Sequence, residues 1–83
     1  MIKLTKRQQE ILTLISEERT TREIALELGL AIGTIEVHRK TLFRKFKAKN
    51  VAGLIKRACI QGYFDEEIRE YRQPSYAHMA LKI

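Results

Sequence analysis

Gly33-Thr34-Ile35-Glu36-Val37-His38-Arg39-Lys40-Thr41-Leu42-Phe43-Arg44-Lys45-Phe46 is the stretch that decides the fold of this chain. Within it, side chains that suit a buried face recur at steps of three or four residues, the period of an α-helix. Those inner residues are Ile35, His38, Leu42 and Phe46. The opposite side, extended by one residue beyond the stretch, holds Gly33, Val37, Lys40, Thr41, Arg44 and Lys47. The pattern predicts one helix, over about residues 33–46, whose outer face is small at its start and basic toward its end.

Three further helices are predicted around this one. Helix starts are indicated by polar residues that accept from first-turn backbone N–H groups, and they are Thr5 with Gln8, Thr20 or Thr21 with Glu23 as the partner of Thr20, and Asn50. Gly29 stands where a helix commonly ends in a left-handed residue. A short helix, a glycine turn and the basic helix together make a helix-turn-helix. The predicted fold class is therefore all-α, with four helices.

The chain divides into a helical domain over residues 1–64 and a C-terminal tail or arm over residues 65–83. The start of the tail could form a short extra helix capped by Asp65, which Pro74 would terminate. Two interpretations of the remaining residues stay open. They are a frayed terminus, or an arm that packs on the fourth helix or on a second subunit.

Charge is concentrated in one third of the sequence. The 83 residues carry a net charge of +6, and residues 31–57 hold eight Lys or Arg against one acid, Glu36. That segment alone is therefore +7, and the remainder of the chain is −1. A solvated surface is the simpler interpretation, but clustering around one groove-sized helix favours a nucleic-acid partner. A membrane partner is not expected, because the segment lacks the broad apolar face of an interfacial helix.

The inventory of reactive residues argues against an enzyme. Cys59 is the only cysteine, so no disulfide can form within the chain, which is consistent with a reducing cytoplasm. His38 and His78 are far apart in sequence, and no paired carboxylates or glycine-rich phosphate loop accompany them. No cofactor and no metal are expected. The absence of a long apolar run predicts neither a signal peptide nor a membrane span.

Several short pieces of sequence, in order and without a gap, carry a family resemblance. They are Leu4-Thr5-x-Arg7, Glu10-Ile11-Leu12, Arg22-Glu23-Ile24-Ala25-x-x-Leu28-Gly29, Gly33-Thr34-Ile35-x-Val37-His38-Arg39, Arg44-Lys45-Phe46 and Lys49-Asn50. Together they resemble the DNA-binding domain of the LuxR/GerE (FixJ/NarL) family of bacterial transcriptional regulators. The resemblance spans residues 4–64. It implies that the third helix reads DNA, that the fourth pairs two copies, and that most relatives carry an upstream receiver or ligand-binding domain.

The sequence departs from the family pattern at four places. Ala31 stands where relatives usually have a Ser or Thr cap, which predicts that the start of the third helix is either looser or shifted toward Gly33. Ile32 is apolar where relatives are usually polar. Glu18-Arg19 replaces the usual Gly-Leu between the first two helices, and Glu36 stands where many relatives have Lys.

The residues expected to contact DNA bases are Val37 and Lys40, which lie on the outer face and at the family's reading positions, and also Glu36. Lysine donates to guanine O6 and N7, valine packs on a thymine methyl, and a carboxylate accepts from the cytosine N4 amine. Alternatively, Val37 is simply an exposed apolar residue. For Glu36 the alternative is an ion pair with Lys40, four residues on.

The residues expected to contact the DNA backbone are Thr20, Thr21, Arg22, Thr34, His38, Arg39, Arg44, Lys45 and Lys49. The threonines sit at helix starts, where they serve equally well as caps. Each lysine has the alternative of being a solvated charge. His38 is interpreted as mainly structural, and Arg39 has Glu27 as an alternative partner.

The candidate dimer interface on the fourth helix consists of Leu54, Ile55, Ala58 and Cys59, divided between core and interface in a way that the sequence leaves open. The predicted function is sequence-specific binding of double-stranded DNA by a homodimeric bacterial transcription regulator. One alternative is a helix-turn-helix-derived module that binds a regulator or an RNA polymerase subunit, favoured by Ala31, Ile32 and Glu36. Another is a σ-like promoter reader, which would bind the polymerase core.

Overall fold

Four α-helices make up the described part of the chain, residues 2–64 of the computed structural model. They are α1 (Lys6–Ser16), α2 (Thr21–Leu28), α3 (Ile32–Phe46) and α4 (Val51–Ile60). The predicted all-α helix-turn-helix fold is confirmed. The short helix predicted after Asp65 lies outside the described residues. In the described region, no helix combines the length and the apolar character that crossing a membrane requires.

Local side-chain caps fix the starts of α1, α2 and α4. The Thr5 hydroxyl accepts from the Gln8 backbone N–H at 3.1 Å, and the Gln8 side chain accepts from the Thr5 N–H at 3.0 Å. Thr20 and Glu23 form the same reciprocal pair at 3.1 and 2.8 Å. Asn50 accepts from the backbone N–H three residues later at 2.9 Å. All three predicted caps are confirmed.

The start of α3 differs from the other three, because no side chain caps it. Ala31 occupies the cap position, and the helix begins at Ile32, one residue earlier than predicted. The preceding turn does match the prediction. Gly29 has a φ of +67°, and the N–H of Leu30 closes the end of α2 by donating to the carbonyl of Ala25 at 2.9 Å. The connection from α2 to α3 is thus set by glycine and backbone bonding.

The link between α1 and α2 explains one departure from the family pattern. Glu18 has a φ of +64°, a conformation that glycine adopts without strain. The next residue, Arg19, forms an exposed ion pair with Glu27 of α2. The hydrogen bond and charge of Glu27 raise the pKa of Arg19. An ion pair between this link and α2 therefore stands where relatives usually place an apolar side chain.

The helices enclose one apolar core in which α3 packs on each of the other three. The core residues are Ile11, Leu12, Leu14, Ile15, Ile24, Ala25, Ile35, Leu42, Phe46, Leu54, Ile55, Ala58 and Phe64. Beyond α4 the chain turns back, and the ring of Tyr63 meets that of Phe46 edge-on at 5.8 Å. Because the inner face of α3 is buried, its outer face is held in a defined orientation.

The division of α4 between core and surface corrects part of the predicted dimer interface. Leu54 and Ala58 are 0% exposed and Ile55 is 7% exposed. These side chains pack within the core of one protomer, so almost none of their surface is accessible to a second protomer. Cys59 is half-buried. The outward residues of α4 are instead Val51, Ala52, Lys56, Arg57 and Ile60.

Candidate nucleic-acid interface

The three predicted base-contacting residues, Glu36, Val37 and Lys40, are all exposed on α3. Val37 is 63% exposed although it is apolar. The predicted alternative of a Glu36–Lys40 ion pair is wrong, since the ion pairs within residues 2–64 are Arg7–Glu10 and Arg19–Glu27. The outer face therefore presents a carboxylate, a small apolar side chain and an ammonium group, which together offer an acceptor, a methyl surface and donors.

A groove joins this face to the start of α2. It has a volume of about 340 Å³ and is lined by Thr21, Glu36, Arg39, Lys40 and Phe43. Two sets of residues predicted separately, one from each helix of the helix-turn-helix, thus meet across one concave surface. The N-terminus of a helix carries partial positive charge, so the wall formed by α2 favours an anion.

The residues at the start of α2 have different roles. Thr20 uses its hydroxyl as the helix cap, so the capping interpretation of this residue is confirmed. Thr21 is half-buried at the groove, while Arg22 is exposed. Glu23 accepts from the backbone N–H of Thr20, and this bond, with the threonine side chain, lowers the pKa of the glutamate. The first turn of α2 thus contains side chains that can donate to a phosphate, Thr21 and Arg22, and also one acid, Glu23.

Lys45 does not face the groove. Its ammonium group donates to the carbonyl oxygen of Lys3 at 3.0 Å and to the side-chain oxygen of Gln8 at 3.2 Å. Lys3 lies just before α1 and Gln8 lies in the first turn of α1, the helix that packs against α3. Two of the three ammonium donors of Lys45 are therefore used within the protein, which argues against its predicted contact with the DNA backbone.

Arg57 is a second cation of the basic segment that is used internally. Its guanidinium donates to the carbonyl oxygen of Phe46 at 2.8 Å and also to that of Lys47. These carbonyls lie at the end of α3, where the helix dipole is negative and a cation is favourable. The basic segment thus divides into cations that hold the protein together and cations that face solvent, among them Arg44 and Lys49.

The remaining predicted residues lie at the edges of the interface. Thr34 is exposed near the start of α3, and His38 is half-buried on its flank. Arg39 does not pair with Glu27, whose partner is Arg19. Its guanidinium carbon instead lies 5.7 Å from the centre of the Phe43 ring. Sequence reasoning gave Phe43 no role, although its spacing of four residues from Arg39 was a usable signal.

No group of three or more potential metal ligands occurs among residues 2–64.

Comparison with known proteins gives one matching family. The family described as bacterial regulatory proteins, luxR family, matches residues 3–58. The transcriptional regulatory protein MctR of Rhizobium johnstonii is 44% identical over 59 residues, covering 71% of this chain and 28% of that protein. The transcriptional regulatory protein DesR of Bacillus subtilis is 34% identical over 61 residues, covering 74% and 31% respectively. The tetrathionate response regulatory protein TtrR of Salmonella typhimurium is 37% identical over 54 residues, covering 65% and 26%. The chain therefore spans less than a third of the length of these relatives.

Proposed function

The chain belongs to the luxR family of bacterial regulatory proteins, and on that premise we propose that it binds specific sequences of double-stranded DNA as a homodimer and regulates transcription. The observation that carries this proposal is the exposed outer face of α3, where Val37 is accessible and Glu36 and Lys40 form no ion pair inside residues 2–64. A helix with such a face fits the major groove. A DNA target of this kind lies in the bacterial cytoplasm.

In the proposed complex, the middle of α3 reads base edges. Lys40 donates to guanine, Val37 contacts a thymine methyl, and Glu36 accepts from a cytosine amine. Gly33 precedes them and carries no side chain, so the backbone of the first turn can approach DNA closely. The order along the helix therefore predicts discrimination at adjacent base pairs.

Phosphate contacts surround this reading face. They come from the start of α2 and from the flanks of α3, and the proposed residues are Thr20, Thr21, Arg22, Thr34, His38, Arg39, Arg44 and Lys49. Each contact by a cation releases counterions, so the affinity should fall steeply with salt concentration. Lys45 is left out because it is bonded to the start of α1.

The proposed dimer forms through the outward side of α4. On this side Ile60 is 73% exposed, and Cys59 is half-buried between core and surface. Apolar side chains at this exposure favour burial against a second copy. A twofold pair of subunits requires an operator with two inverted half-sites.

Selection of duplexes from a random pool by the purified protein tests this function. Wild-type protein should enrich one inverted-repeat motif. Lys40→Ala should enrich a different or degenerate motif, because it removes a base contact. The matched variant Arg44→Ala should keep the motif and weaken binding to all sequences similarly. If no duplex is retained even at low salt, the proposal is wrong; uniform losses from both variants would remove base reading from Lys40.

A second candidate function is supported by an apolar patch at the turn between α2 and α3. Leu26 is 84% exposed and Ile32 is 43% exposed. Both line a groove of about 410 Å³. This surface favours a helix-turn-helix module that binds a regulator or an RNA polymerase subunit. Binding to purified polymerase that is lost in Leu26→Glu, together with no retention of DNA, would favour this candidate over the first.

A further inference from the structure

Arg39 and Phe43 form a cation–π pair on the flank of α3. The guanidinium carbon lies 5.7 Å from the ring centre, within the range of a cation–π interaction. Both side chains are half-buried. Their spacing of four residues places them one turn apart on the same side of the helix.

The contact with Phe43 leaves the N–H donors of Arg39 available. Within residues 2–64 its guanidinium takes part in no hydrogen bond and no ion pair with the protein. A cation–π contact uses the positive charge of the guanidinium, and its N–H donors remain able to form hydrogen bonds. The side chain is therefore held in place without using the donors that a phosphate would accept from.

The pair lines the groove between α2 and α3. Thr21 lies on the other wall at the positive end of α2, and Lys40 lies beside Arg39. Glu36 also lines the groove and repels an anion, so two cations are needed there to leave the net charge positive. A phosphate that enters this groove meets a cation whose position is already restricted.

We infer that Phe43 is a positioning residue, which holds the Arg39 guanidinium over the groove in the orientation that contacts a phosphate of the DNA backbone. This inference rests on the proposed DNA-binding function. An arginine on an open surface loses side-chain freedom when it binds, and restricting it beforehand reduces that loss. Phe43 thereby contributes to affinity without touching DNA itself.

Phe43 also packs against the apolar core, and this structural role must be separated from positioning. Phe43→Leu keeps a large apolar side chain and removes the ring face. Phe43→Tyr keeps the ring and should restore binding. Thermal unfolding of each variant establishes that it is folded at the temperature of the binding assay.

Binding is measured by fluorescence anisotropy with the duplex selected by the wild-type full chain. Phe43→Leu is expected to weaken binding about two- to fivefold. Arg39→Met, which keeps an apolar stem, is expected to weaken it about tenfold and to reduce the salt slope by about one. The double variant should then match Arg39→Met to within about twofold, since Phe43 acts only through that guanidinium.

Arg44→Ala provides the control background. Arg44 is exposed and makes no cation–π contact with Phe43, so the effect of Phe43→Leu should persist undiminished there. If the losses from Phe43→Leu and Arg39→Met multiply to about 20- to 50-fold in the double variant, positioning is overturned and Phe43 is a packing residue only. Failure of Phe43→Tyr to restore binding would also overturn it. Absence of any wild-type binding would instead contradict the proposed function itself.

Discussion

Glu18 and Lys47 each end a helical segment in the left-handed conformation, with φ values of +64° and +52°. The β-carbon of a non-glycine residue crowds the backbone there, at a cost of about 1 kcal/mol. Lys47 is compensated, because Arg57 donates to its carbonyl oxygen. The side chain of Glu18 takes part in no ion pair within residues 2–64. Its left-handed turn lets the backbone N–H of Arg19 donate to the carbonyl of Leu14 at 3.1 Å, which closes the end of α1. A glycine at this position would keep that bond without the crowding of a β-carbon.

Glu18→Gly should stabilise the domain by about 1 kcal/mol, since glycine adopts this φ without strain. Urea unfolding measures the change. Glu17→Gly, one residue earlier at a negative φ of −92°, is the matched control and should not stabilise. Glu18→Gln separates the effect of charge from that of backbone conformation. Equal stability of Glu18→Gly and wild type would show that the turn carries no appreciable strain.

The stability of the domain should depend on pH through the carboxyl group of Glu23. Its pKa is lowered in the folded state by the backbone N–H of Thr20 and then by the threonine side chain, from an ordinary value of 4.5. The ionised form is thus favoured by folding, so its contribution is present above that value. It is lost as the pH falls through the lower pKa of the folded state. The stability difference between wild type and Glu23→Gln should therefore shrink on acidification, as measured by denaturant unfolding across pH. A difference that stays constant with pH would contradict this cause.

At the scale of the helices, α3 is held by cations at its end as well as by apolar packing. Lys45 joins α3 to the start of α1, and Arg57 of α4 covers the last carbonyls of α3. Its beginning, in contrast, has only the uncapped Ala31. The helix that is proposed to read DNA thus has more side-chain hydrogen bonds at its C-terminal end than at its N-terminal end.

Lys45→Met should lower stability by about 1 kcal/mol and leave the salt dependence of DNA binding unchanged, because this ammonium is bonded within the protein. Arg44→Met, its exposed neighbour, should do the reverse. It should leave thermal stability nearly unchanged and reduce the salt slope by about one. The two quantities are read from thermal unfolding and from binding isotherms at several salt concentrations. A reduced salt slope in Lys45→Met would return Lys45 to the phosphate contacts.

What the sequence predicted well depends on neighbours a few residues away. Thr5 with Gln8 is an example, since each cap and its partner are three residues apart and helical geometry brings them together. The exposure of Glu36, Val37 and Lys40 likewise follows from the helical period alone. Their contact with bases remains a prediction.

The remaining features depend on contacts that only the folded chain creates. The acceptor of Lys45 on Lys3 is 42 residues away, so a pattern within one helix could not reveal it. For the same reason, the apolar stripe of α4 did not show that Leu54 and Ala58 belong wholly to the core.

For the molecule as a whole, the positions of α3 and α4 relative to each other are set by the single apolar core to which both helices contribute. In the proposed dimer, the contact through α4 therefore fixes the separation of the two reading helices. Half-site spacing would be a property of this packing and not of any base-contacting residue.

Ile60→Glu should abolish dimer formation, because it puts like charges into the proposed interface of both subunits. Binding to a full inverted repeat should fall to the level of a single half-site, while half-site affinity should change little. Leu26→Glu is the control, since Leu26 is also an exposed apolar residue but lies on α2. Analytical ultracentrifugation and binding to both duplexes measure the result. Unchanged cooperativity in Ile60→Glu would place the interface elsewhere.

The capping boxes also have a kinetic meaning. In α1 and α2 the two residues of each capping box are only three positions apart, so the start of each helix can form before any long-range contact is made. The search for the native topology then has little loop-closure entropy to overcome, and small helical domains of this type fold in about microseconds to milliseconds. Such a chain would expose its apolar faces only briefly as it leaves the ribosome.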